Sequence, residues 1–104
     1  MKNILPSLRE KNRYIAYKVS RDLGFNEVKE IIEENALRFL GELEMAKANI
    51  MIMDYKKSKG IIKVNNKYTD KLRAALILIK EPIIETIGVS GTLKKARLKY
   101  LKEE

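Results

Sequence analysis

The chain has 104 residues, with 22 Lys+Arg against 14 Asp+Glu and a net charge of +8. That length suits one compact domain with one core, and a hydrophobic fraction of 45% rules out disorder throughout. Cys and His are both absent, which excludes disulfides and thiolate metal sites and removes the commonest general base.

The basic balance points to a polyanionic partner, nucleic acid or an anionic surface; the plainer alternative is a soluble protein that is simply basic. No stretch approaches the roughly 18 apolar residues that a membrane span needs. The opening Met1-Lys2-Asn3-Ile4-Leu5-Pro6 has no signal-peptide apolar core. The expectation is a cytoplasmic protein without membrane contact, built as a single domain over 1–104.

Taken in chain order, residues 1–12 read as a basic arm, with one helical turn at Ser7–Glu10. Residues 13–20 read as a strand whose Ile15, Tyr17 and Val19 share one face by the two-residue period. Asn26 is placed to cap a helix with Glu27 in its first turn. Val28, Ile31, Ile32, Phe39, Leu40 and Leu43 recur at helical spacing, and Gly41 marks a stop near Leu40.

Residues 47–55 read as a strand, Lys56-Lys57-Ser58-Lys59 as a turn and 60–65 as the returning strand of a hairpin. Leu72, Ala75, Leu76 and Ile79 define the apolar face of a second helix over 67–79. Residues 83–88 read as a fourth strand, and 93–103 as a basic terminal helix. Pro6 and Pro82 sit where elements begin. The order β-α-β-β-α-β plus a helix predicts an α+β, ferredoxin-like (RRM-like) sandwich: a four-stranded antiparallel sheet, with a basic C-terminal helix over 93–104.

Charge is segregated along this order. Residues 26–44 hold six acids and two bases, a net −4 that leaves +12 on the rest of the chain. The densest basic cluster is Lys94, Lys95, Arg97, Lys99 and Lys102 in the last helix. Lys95, Lys99 and Lys102 share a face at i, i+4, i+7, with Leu93, Ala96 and Tyr100 on another. Cations in the last turn complement the helix dipole, but Lys94 and Lys95 in the first turn oppose it. The arm adds Arg9, Lys11 and Arg13.

Gly88-Val89-Ser90-Gly91-Thr92 joins the fourth strand to the basic helix. Glycines let a backbone approach a ligand closely. Ser90 or Thr92 can cap the helix, whose free N–H groups favour an anion beside Lys94 and Lys95. The same residues equally suit a tight turn that needs glycine for geometry alone. No P-loop pattern is present.

No catalytic constellation is visible. Glu30, Glu33 and Glu34 fall on the solvated side of an amphipathic helix, and Asp22, Asp54 and Asp70 are isolated, with no spacing for a metal pair. Sheet-face base stacking of the RRM kind is unsupported, because Lys59-Gly60-Ile61-Ile62-Lys63-Val64 carries no aromatic. Strand 47–55 is apolar on both faces. Met51, Met53 and Tyr55 are expected on the face turned from the helices, covered by this chain or forming a protein interface.

Three ordered blocks carry a family resemblance. Leu5-Pro6-Ser7-Leu8-Arg9-Glu10-Lys11-Asn12-Arg13-Tyr14-Ile15, Ala36-Leu37-Arg38-Phe39-Leu40-Gly41-Glu42-Leu43 and Gly88-Val89-Ser90-Gly91-Thr92 resemble the archaeal ribonuclease P protein component 2 family. The resemblance implies a subunit of a ribonucleoprotein that cleaves precursor tRNA at its 5′ end, with Mg²⁺-dependent chemistry carried by the RNA and no cofactor on this chain. It further implies ribonuclease P RNA, precursor tRNA, protein component 3 and other protein subunits as partners, with self-association within the complex. RNA-contact candidates are then Arg9, Lys11, Arg13, Gly88, Ser90, Gly91, Thr92, Lys94, Lys95, Arg97 and Lys99. Met51, Met53 and Tyr55 are the protein-contact candidates. Another ribonucleoprotein or ribosome-associated module, or a small-ligand regulatory domain of the same fold, are the competing readings; steep salt dependence of binding would separate RNA recognition from the last.

Overall fold

The computed structural model describes residues 11–101. The helical turn expected at 7–10, Arg9 and Lys102 lie outside the described residues. Strand β1 (Asn12–Val19) leads into helices α1 (Phe25–Leu40) and α2 (Glu42–Ala48). The hairpin β2 (Met51–Lys56) and β3 (Lys59–Asn65) follows, then a 3₁₀ turn, α3 (Thr69–Ile77) and β4 (Ile84–Ser90). Helix α4 (Leu93–Ala96) runs on as a π-helical turn over Arg97–Leu101. The sheet order is β2-β3-β1-β4, antiparallel throughout, so the expected ferredoxin-like sandwich is the fold observed.

Period sorts the two faces of the sheet. Ile15, Tyr17 and Val19 of β1 join Ile52, Ile62, Val64 and Ile84 on the inner face. They pack against Val28, Ile32, Ala36 and Leu40 of α1 and Leu72 and Leu76 of α3. Each Leu or Ile buried in this way contributes about 2 kcal/mol. The buried stripe of α1 is narrower than its apolar residues suggest: Phe39 and Leu43, expected on it, are 45% and 68% exposed.

The helix starts at Gly24 rather than at the expected Asn26 cap, and the Glu27 carboxylate accepts the Gly24 N–H at 3.1 Å. Gly41 does stop α1, with φ 86° and ψ 163°. The chain does not then run straight toward a strand. It forms the extra helix α2, whose end occupies residues 47–48, and reverses at Asn49 (φ 51°). The strand expected from 47 therefore begins at Met51. Lys57 and Ser58 both take positive φ in the hairpin turn. The Ser58 carbonyl accepts the Val19 N–H at 2.7 Å and its hydroxyl donates to the Arg21 carbonyl at 3.2 Å, tying the hairpin to the end of β1.

A register shift between Ile52 and Asp54 leaves Met53 as an extra residue in β2. Such a bulge reverses the face of everything after it. Met51, Met53 and Tyr55 therefore do not share a face, contrary to the strict alternation read from the sequence. Tyr55 turns inward, its ring 6.4 Å from that of Tyr17 at an interplanar angle of 21°, and its hydroxyl donates to the Leu23 carbonyl at 2.8 Å. Tyr55 is half-buried and its hydroxyl is bonded within the chain, apart from Met51 on the outer face. Asp54 takes the outer face instead, opposite Ile61.

Candidate nucleic-acid interface

The terminal helix crosses the middle of the sheet's outer face and leaves the rest of that face uncovered. Ala16, Ile61 and Ala96 are fully buried there. A Cβ placed on Gly88 would overlap the Tyr100 ring, with Cε1 only 2.7 Å away. The expected apolar face of this helix, Leu93, Ala96 and Tyr100, is thus the face that meets the sheet. Because the helix covers the centre of the sheet, bases cannot stack there, in agreement with the lack of aromatics in β3.

The sheet separates two layers of opposite charge. Acidic α1 and α2 lie on the inner side, with Glu44 paired to Lys71 of α3 at 3.1 Å. Over its described residues 93–101, the terminal helix on the other side carries Lys94, Lys95, Arg97 and Lys99, and no acid. Lys94, Lys95 and Lys99 are exposed, and the Lys99 ammonium lies 5.6 Å from the Tyr100 ring centroid. Arg97 differs from them. Its Nε and Nη2 donate to both carboxylate oxygens of Asp54, at 2.6 and 3.2 Å. The hydrogen bond and then the charge of Asp54 hold the Arg97 guanidinium above its ordinary pKa. Arg97 therefore straps the helix to β2, and its charge is already answered within the chain.

The turn before this helix is built from its own hydroxyls. Thr92 is the cap, its Oγ1 accepting the Lys95 N–H at 3.2 Å. Ser90 Oγ donates to the Thr92 carbonyl at 3.1 Å and accepts the Thr92 N–H at 3.4 Å. Gly88 is not part of the turn, since β4 continues through Ser90. It is glycine because Tyr100 fills the space beside it, and it lies within β4 and not in the turn where the sequence reading placed it. Gly91 is exposed, and among the described residues only Arg13 Nη1 comes within 4 Å of where its Cβ would stand, at 3.9 Å.

That last distance joins two segments far apart in sequence. Tyr14 of β1 is the partner of Ser90, so Arg13 lies beside the turn. Lys11, exposed just before β1, has its carbonyl anchored by the Asn66 N–H at 2.7 Å. Lys11, Arg13, the Gly91–Thr92 turn, Lys94 and Lys95 thus gather at one end of the sheet. Met51, 50% exposed, lies on the outer face as the partner of Lys63. The strap between Asp54 and Arg97 was not legible in the sequence, because Asp54 reaches that face only through the bulge. Among the described residues no three acids cluster to hold a metal ion, and no helix is long and apolar enough to cross a membrane.

A ferredoxin-like sandwich with an acidic helical layer on one side of its sheet and a basic helix across the other places the chain in a class of small α+β domains with segregated charge. The model of the Rpp14/Pop5 family matches residues 9–101, and the chain belongs to that family. It is 42% identical to ribonuclease P protein component 2 of Pyrococcus abyssi, over 99% of this chain and 95% of that protein. It is 37% identical to the protein of the same name from Methanococcus aeolicus, over 98% of this chain and 81% of that one. The fold is also similar to a chain in the cryo-EM structure of yeast ribonuclease MRP, with a TM-score of 0.65 and 11% identity over 82% of this chain and 77% of that one.

Proposed function

We propose that this chain is a protein subunit of ribonuclease P that binds and stabilises the RNA responsible for removing the 5′ leader of precursor tRNA. The observation that carries the reading is the match to proteins named ribonuclease P protein component 2 along nearly the whole length of both chains. The charge layering supports it, since RNA phosphates favour the side bearing Lys94, Lys95 and Lys99 and avoid the side bearing α1.

In this role Lys11, Arg13, the Ser90–Thr92 turn, Lys94, Lys95 and Lys99 contact the RNA, and Arg9 adds to them from the arm. The chain supplies charge and shape, while the RNA with its Mg²⁺ ions supplies the chemistry, so no side chain here is assigned a catalytic role and no cofactor is required of this chain. Protein component 3 and the other protein subunits complete the complex in the cytoplasm, with Met51 and Met53 as contacts for a protein neighbour or a second copy.

Reconstitution tests the reading. Precursor-tRNA cleavage is measured with the RNA and partner proteins, with and without this chain, at limiting Mg²⁺. Omission is expected to slow cleavage strongly. Equal rates with and without the chain would overturn the assignment.

A further inference from the structure

The register places three lysines side by side. Lys56 on β2 is the partner of Lys59 on β3, and Lys59 is the partner of Lys18 on β1. All three fall on the outer face by alternation, since Tyr55, Gly60 and Tyr17 take the inner side of the adjoining row. Strands lie about 4.8 Å apart, so the row spans about 10 Å. Lys18 and Lys56 are exposed and Lys59 is half-buried.

Like charges set directly opposite on neighbouring strands are destabilising, and this row holds two such pairs. No ion pair among the described residues offsets them. None of the three ammonium groups has an ion-pair or hydrogen-bond partner among the described residues. Glu85 continues the row as the partner of Lys18, yet no ion pair joins the two. A lysine on an edge strand deters unwanted strand addition. That accounts for Lys56 on β2, but not for Lys59 and Lys18, which lie on the interior strands β3 and β1. Room is present at both ends: one hollow is lined by Lys18, Ser20 and Glu85, the other by Asp54, Lys56 and Arg97.

We infer that Lys56, Lys59 and Lys18 form a phosphate ladder, a second binding site that takes successive phosphodiesters of an RNA backbone. The site rests on the reading of the chain as an RNA-binding subunit, and extends it away from the Gly91–Thr92 end. A backbone laid across the three strands relieves the repulsion within the row. It meets compact, flexible point charges that read charge and not sequence.

The test compares two triple variants of equal charge in binding to ribonuclease P RNA transcribed in vitro, over a series of salt concentrations. One carries Lys18→Gln, Lys56→Gln and Lys59→Gln. The control carries Lys29→Gln, Lys47→Gln and Lys80→Gln, all exposed positions on other surfaces. Each phosphate contact contributes about 0.7–0.9 to the slope of log affinity against log salt. The ladder triple should lower that slope by about two units, and the control should leave it almost unchanged. The thermal midpoint of the ladder triple should hold or rise, because two like-charge pairs are gone. Lys18→Gln and Lys56→Gln alone should each lower the slope by just under about one unit, which keeps the test independent of how the triple folds. Equal loss in ladder and control, or no loss in either, overturns the ladder and leaves the RNA-binding assignment standing. Failure of the unaltered chain to bind the RNA at low salt overturns both.

Discussion

The Tyr100 ring lies directly against the Cα of Gly88, in the space where any other residue would carry its Cβ. This contact lets the terminal helix settle onto the sheet with its lysines outward. Gly88→Ala should force the ring away and cost about 1–3 kcal/mol, as overpacking of a filled interface does. Chemical denaturation measures the loss. In a Tyr100→Ala background the same substitution should cost much less, because the clash has no second partner. Gly91→Ala should be nearly neutral, since among the described residues only the end of a flexible arginine lies near it. Equal penalties at Gly88 and Gly91 would remove the docking role assigned to Tyr100.

Tyr17 is fully buried, and its hydroxyl has no hydrogen-bond partner among the described residues. A buried donor without an acceptor costs about 1–3 kcal/mol, so Tyr17→Phe should leave stability unchanged or raise it by about 1 kcal/mol. Burial, and secondarily Tyr55, pushes the Tyr17 hydroxyl far above its ordinary range. The unfolded chain therefore loses this proton near pH 10 while the folded chain keeps it. Its contribution is complete below that pH and drains away as pH rises further, by about 1.4 kcal/mol per pH unit. Denaturation midpoints of the wild type and Tyr17→Phe should diverge above about pH 10, with the Phe variant declining less. Parallel profiles would contradict the burial of an un-ionised hydroxyl.

Gly41 holds φ 86° and ψ 163° between α1 and α2, a region open almost only to glycine. A Cβ there would meet no neighbouring atom of the described residues within 4 Å, so the cost of substitution is conformational. Gly41→Ala should destabilise by about 1–3 kcal/mol, read from thermal or urea unfolding. A smaller effect would mean that α1 and α2 can merge into one helix without disturbing the core.

The sandwich was legible because its signals are local. The alternation of Ile15, Tyr17 and Val19 and the spacing of Leu72, Ala75, Leu76 and Ile79 predict the faces that the structure buries. The terminal helix was read with the correct apolar face for the same reason. What escaped depends on relationships between strands. Met53 looks like one more step of an alternating strand, yet as a bulge it exchanges the faces of Asp54 and Tyr55. Residues 47–48 have strand-like neighbours, yet the turn at Asn49 keeps them helical. Lys18, Lys56 and Lys59 are unremarkable in sequence, and only the register sets them in a row. The basic arm and the glycine turn were singled out separately, and the approach of Arg13 to Gly91 joins them.

The pair of Asp54 and Arg97 makes the last prediction. Arg97 lies in the wider π turn that ends the described helix, and its fork spans both oxygens of Asp54. Two parallel bonds of this kind fix orientation as well as distance. Asp54→Ala should leave the core intact but loosen residues 93–101, seen as faster amide hydrogen exchange confined to that segment. Arg97→Asp alone should loosen it further, by setting two carboxylates against each other. The exchanged pair, Asp54→Arg with Arg97→Asp, should restore much of the protection lost in either single variant. Because Arg97 is spent on this strap, Arg97→Lys should weaken docking more than it weakens RNA binding, since a lysine keeps the charge but cannot reproduce the fork. Loss of RNA affinity with unchanged exchange over 93–101 would instead make Arg97 a direct RNA contact.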